Sequence, residues 1–116
     1  MNWISITEKS QLATIKAISN EIPCIIYKHS SICYTSDMMK YTLEQDWQLG
    51  ENEVKAYFLD ILQHRNIAAE IADVFQVHHE SPQLLLIKNG ECTYDADRLD
   101  IKYEELVECL EDDAWA

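Results

Sequence analysis

The sequence predicts an α/β domain built on one central mixed β-sheet with helices on both faces, and three observations carry that reading. Short apolar runs stand at 23–27, 54–59 and 84–87; the first, β-branched and aromatic, fits a strand better than a helix, which needs more length, and the other two read as strands as well. Between and after them, apolar residues recur at helical spacing. Asn89-Gly90 then follows the third run as the dipeptide of a type I′ hairpin turn. The order β, α, β, α, β, α, β, β, α mixes parallel crossovers in the first half with an antiparallel hairpin near the end.

Taken in order, Trp3 and Ile4 suit a short edge strand, and Ser5 or Thr7 can cap a helix running to about Ser19 with Leu12, Ile15 and Ile18 on one stripe. Pro23 to Tyr27 reads as a strand buried on both faces. Residues 37–45 hold no Gly or Pro and form a helix that ends by Gly50. Residues 54–59 are the next strand. From Asn66, a good cap, Ile67, Ile71, Val74 and Phe75 fall at i, i+4, i+7 and i+8, a strong amphipathic signal. Leu84 to Ile87 form a strand, the hairpin leads into residues 91–95, and Tyr103, Leu106, Val107 and Leu110 place a stripe on a last helix. Residues 111–116 read as a frayed acidic tail. At 116 residues the chain makes a single domain, 1–116, with no repeat, linker or low-complexity segment.

The chemistry converges on His29-Ser30-Ser31-Ile32-Cys33-Tyr34-Thr35-Ser36, where the buried strand stops and a thiol stands at a helix start. Ser30 or Ser31 can cap that helix and places Cys33 in its first turn. Unpaired N–H groups and the helix dipole favour negative charge there, and so favour the thiolate, the attacking form of a cysteine. Lys28 and His29 add positive field from upstream. Ser36, three residues on, faces the same side, so its hydroxyl can reach the sulfur. Cys-x-x-Ser is legible as a redox motif without its second cysteine, one that works through mixed disulfides. By itself the spacing is weak, and an inert buried cysteine satisfies it equally well.

Composition narrows the classes. With 21 acidic against 9 basic residues the formal charge is −12, which argues against nucleic acid and anionic membranes as partners. No apolar run is long enough to span a bilayer and no leader is legible at the N-terminus. The expected compartment is the cytoplasm, with Cys24, Cys33, Cys92 and Cys109 reduced at rest. Neither the cysteines nor the four histidines show metal-ligand spacing, so no metal is expected. Cys24 and Cys109 read as packing residues, Cys92 as more exposed and a minor candidate for resolving a disulfide in trans. Met38 and Met39 read as core filling.

The element order, the thiol after the second strand and the Ser81-Pro82 pair before a later strand resemble the thioredoxin fold, which implies a cis proline packed beside the thiol. Lys28-His29-Ser30, the single cysteine with a serine three on, His79-Glu80-Ser81-Pro82-Gln83 and Lys88-Asn89-Gly90 further resemble the YtxJ family, the monothiol bacilliredoxins, from Trp3 to about Leu110. That family's Thr-Cys-Pro-Ile-Ser places its cysteine and serine on Cys33 and Ser36. This chain departs from it with Ile32, Tyr34 and Thr35, and the Tyr34 ring beside the thiol can narrow the set of mixed disulfides that fit or change the partner altogether.

The resemblance implies a thiol-disulfide oxidoreductase that removes bacillithiol from S-bacillithiolated client proteins, with bacillithiol as co-substrate, no resident cofactor and a second low-molecular-weight thiol or a reductase to free Cys33. It implies that Ser36 holds the thiolate and that the backbone at Ser81 and Pro82 pairs with the substrate as a short strand. Bacillithiol carries carboxylates, so Lys28, His29 and His79 are candidate contacts in an otherwise acidic protein. Two rivals share the fold: a monothiol-glutaredoxin-like iron-sulfur cluster carrier and a non-catalytic thioredoxin-like binding module.

Overall fold

The structure, a computed structural model, describes residues 1–111; of the tail expected over 111–116, Glu111 belongs to the last helix and 112–116 lie outside the described residues. In chain order the elements are β1 (Trp3–Ser5), α1 (Ser10–Ile18), β2 (Cys24–His29), α2 (Tyr34–Asp46), β3 (Lys55–Asp60), α3 (Arg65–Phe75), β4 (Gln83–Lys88), β5 (Glu91–Asp97) and α4 (Tyr103–Glu111), with one 3₁₀ turn over Arg98–Asp100. This is the predicted order. The five strands lie as β1-β3-β2-β4-β5, with β1, β3 and β2 parallel and β4 and β5 antiparallel to their neighbours.

The sheet is covered on both faces because its central strands are apolar on both. Alternate side chains point to opposite faces. Ile26, Leu85 and Ile87 join Leu12 and Ile15 of α1 and Ile67 and Ile71 of α3 in one core. Ile25, Tyr27, Leu84 and Leu86 join Leu43 of α2 and Leu106 of α4 in the other. Every residue of β2 is buried, Lys28 and His29 included. The hairpin forms as expected, with φ of 53° at Asn89 and 79° at Gly90, the two positive values a type I′ turn requires.

The helix starts differ from expectation in one consistent way: none of the predicted cap side chains is used. Ahead of α1, Gln11 reaches back instead, its Oε1 accepting from Thr7 and Glu8 N–H at 2.7 and 3.0 Å and its Nε2 donating to the Ser5 carbonyl. A long amide satisfies several orphan donors where a short hydroxyl would satisfy one. Asn66 lies inside α3, and the turn before that helix is held by Asp60, whose Oδ1 accepts from Leu62 and Gln63 N–H. No helix among the described residues is long and apolar enough to cross a membrane.

Candidate active site

Cys33 occupies the N-cap position of α2, one residue ahead of the first turn, with extended backbone at φ −106° and ψ 115°. Its N–H donates to the Ser30 carbonyl at 3.1 Å, and its own carbonyl accepts from Ser36 and Asp37 N–H at 3.1 and 3.3 Å. Neither Ser30 nor Ser31 caps the helix; Ser30 acts through its backbone. Cys33 is half-buried, while its neighbours Ile32 and Tyr34 are 83% and 79% exposed. Two large apolar side chains standing in solvent on either side of one thiol form a rim suited to another surface.

Ser36 sits beneath that rim, completely buried. Its Oγ accepts from Ser30 N–H at 3.1 Å and lies 2.7 Å from His29 Nδ1, whose ring presents Nε2 to Asp37 Oδ1 at 3.4 Å. Burial lowers the His29 pKa below its ordinary value against the pull of Asp37, so the ring is neutral near pH 7. With the Nε2 proton facing Asp37, Nδ1 is a lone pair, and the Ser36 hydroxyl donates to it. The hydrogen expected to reach the Cys33 sulfur is therefore committed to His29, because β2 brings a better acceptor within reach. Tyr27, whose phenol burial pushes up to about 12, donates to the Ser36 carbonyl at 2.7 Å. Ser36 thus ties residues 30–36 to the end of β2 through both its side chain and its backbone.

The Ser81–Pro82 bond is cis, and register places Pro82 just before Gln83, the partner of Lys28, so the proline and the Cys33 turn share one end of the sheet. Lys28 is fully buried rather than facing a ligand. Its Nζ donates to Gln83 Oε1 at 2.8 Å, and Gln83 Nε2 donates to the His78 carbonyl at 3.0 Å. Burial brings the Lys28 pKa down to about 8, with Glu80 opposing. His29 is likewise internal, whereas His79 is exposed. Ser81 Oγ is buried without a hydrogen-bond partner among the described residues.

Arg98, which no sequence argument singled out, holds the proline loop from behind. Its N–H donates to the Pro82 carbonyl at 3.0 Å and its guanidinium meets Glu80 at 2.9 Å. Nothing local in the sequence distinguished it, since the last strand was expected to end at 95 and reaches Asp97. The other cysteines lie away from the site. Cys24 pairs in register with Ile87, and Ile87 with Cys92, at the opposite end of the sheet from Lys28 and Gln83. The Cys109 carbonyl accepts from Lys88 at that same far end. Cys92 is more enclosed than expected: burial raises its thiol pKa to about 11. Cys33 is the sole cysteine at the proline end among the described residues.

A single cysteine at the start of α2 on a sheet of this order, at the same end of the sheet as a cis proline, defines a thioredoxin-fold protein with a thiol redox role. Residues 4–106 match the family model described as monothiol bacilliredoxin BrxC, and the chain belongs to that family. A solved structure described as having a thioredoxin fold superposes with a TM-score of 0.80 at 26% identity, covering 95% of this chain and 94% of that one. The thioredoxin of Malassezia sympodialis (Mala s 13) gives 0.72 at 15% identity, with 96% and 89% covered. Thioredoxin F from spinach chloroplast gives 0.66 at 17%, with 94% and 90% covered. The last two likenesses concern the fold alone.

Proposed function

We propose that this protein removes bacillithiol from S-bacillithiolated proteins by a monothiol mechanism through Cys33. The observation that carries the reading is the placement of one half-buried cysteine at the head of α2, with a buried serine rather than a second thiol three residues on. The Cys33 thiolate attacks the bacillithiol sulfur of the client's mixed disulfide. The client S–S bond breaks, its cysteine leaves as a thiolate, and a Cys33–bacillithiol disulfide forms with no net change in oxidation state. The thiolate of a second small thiol, or of a reductase, then attacks the bacillithiol sulfur, freeing Cys33 and leaving bacillithiol in a disulfide with the attacking thiol. The backbone at Ser81 and Pro82 pairs with the extended client segment and aligns its sulfur. Ser36, His29 and Tyr27 hold the Cys33 turn in shape.

The test is intact-mass analysis of the reduced protein mixed with a bacillithiolated client. Wild type gains one bacillithiol while the client loses it, and Cys33→Ser gains none. An unmodified wild-type protein beside a client that stays blocked would end this reading.

A further inference from the structure

On the α1/α3 face, at the same end of the sheet as Cys33, lies a groove of about 510 Å³ lined by Ile61, Leu62, Arg65, Ala69, Ala72 and His79. Its position follows from the ladder. Ile61 N–H donates to the His29 carbonyl, so the groove begins where β2 ends and the thiol turn starts, and His79 brings in the proline loop. The small side chains of Ala69 and Ala72 leave the space open, since a larger residue at either place would fill it.

Its charge departs from that of the molecule. In a chain of net charge −12, the lining contains one arginine and no carboxylate. Arg65 makes no ion pair among the described residues, and the positions three and four residues on, Ala68 and Ala69, offer it none. It opens α3, the end of a helix at which a cation is disfavoured. Arg65 therefore contributes nothing evident to the fold.

We propose that this groove receives the client segment beside its modified cysteine, and that the segment carries an apolar side chain next to a carboxylate that pairs with Arg65. The proposal rests on the transfer reading above and names the kind of client it serves. The apolar side chain fills the space over Ala69 and Ala72, and the carboxylate meets the groove's single full charge. Acidic segments, repelled elsewhere on this surface, are admitted here.

The test uses the full-length reduced protein and two fluorescein-labelled peptides with serine at the cysteine position, one carrying leucine and glutamate beside it and the other leucine and lysine. By fluorescence anisotropy wild type binds the glutamate peptide about fivefold more tightly, the scale of one exposed ion pair. Arg65→Glu reverses the preference, added salt narrows it, and Ala69→Trp, which fills the groove from an exposed position, weakens both peptides. Equal affinity for the two peptides, no binding of either, or indifference to Arg65→Glu overturns the proposal. A second assay follows uptake of bacillithiol by Cys33 from bacillithiol disulfide without any peptide. Arg65→Glu leaves that rate unchanged; if it slows the rate, Arg65 serves the carboxylates of the small thiol and the proposal falls. Absence of uptake in every variant removes the transfer reading, and the anisotropy titration still decides the groove.

Discussion

Ser36 Oγ and His29 Nδ1 lie 2.7 Å apart in a fully buried contact between the first turn of α2 and the last residue of β2. The serine of the Cys-x-x-Ser spacing is thus a strut for the thiol turn. Ser36→Ala leaves His29 Nδ1 and the Ser30 N–H without their partner. Each unsatisfied buried group costs about 1–3 kcal/mol, so urea unfolding should show a loss in that range or somewhat above it. Bacillithiol uptake by Cys33 should fall severalfold, because the turn is no longer held to β2. Unchanged stability would show that the strut carries no load.

Burial of the same His29 ring makes stability depend on pH. The His29 pKa is lower in the folded protein than the ordinary value of 6.5, chiefly through burial, so the unfolded chain binds more protons as pH falls through 6.5. Stability is therefore full above that value and declines below it, until the folded ring protonates in turn. Protonation at Nδ1 also displaces the hydrogen that Ser36 donates. Urea midpoints compared with those of His29→Gln across this window should show a steeper acid loss in wild type; parallel curves would contradict a neutral buried ring.

Strand and helix order were legible in the sequence because they rest on patterns a few residues long: the apolar runs of β2 and β4, the stripe of Ile67, Ile71 and Phe75, and the Asn89-Gly90 turn. The thiol's place near a helix start was legible too. What failed was the choice among short-range polar partners. Ser30, Ser31 and Asn66 have the chemistry of caps, yet Gln11 and Asp60 do the comparable work, and Ser36 turns to His29. Such choices depend on which groups neighbouring elements bring within 3 Å, and nothing local in the sequence records that. Lys28 and Arg98 were obscured for the same reason, since a basic residue's burial, or its grip on a distant loop, is set by strand register.

Lys28 gives a second pH signature, on the alkaline side. Its pKa is about 8 in the fold against 10.5 ordinarily, through burial. Between those values the unfolded chain is the more protonated state, so stability rises with pH from about 8 to 10.5, as the buried amine sheds a charge it holds at a cost. Lys28→Met keeps the length of the side chain without the charge, and its stability relative to wild type should fall across that interval, because wild type gains and the variant does not. Near neutral pH the variant should be about as stable as wild type or more so, with the unpaired Gln83 Oε1 offsetting part of the gain. A difference that stays constant with pH would mean that Lys28 does not lose its charge in the fold over this interval.

Tyr34 stands where the Thr-Cys-Pro-Ile-Ser pattern that the sequence resembles has proline, and the local backbone can accept that residue. The first residue of a helix has no intrahelical acceptor for its N–H, and proline is favoured there. Proline also restricts the residue before it to extended backbone, the conformation Cys33 already has at φ −106° and ψ 115°. With Tyr34 79% exposed, little packing is lost on removing it. Tyr34→Pro should therefore be neutral or stabilising, by up to about 1 kcal/mol through the reduced freedom of the unfolded chain. Bacillithiol uptake from the small symmetric disulfide should stay within about twofold of wild type, since a severalfold change needs a shift of about 1 kcal/mol in the barrier. Transfer from bulky clients should change more, because the exposed ring stands on the rim they must cross. Thermal melts and paired mass-spectrometric rates on the two substrates check this, and an equal change on both would show that Tyr34 acts on the thiol itself rather than on what approaches it.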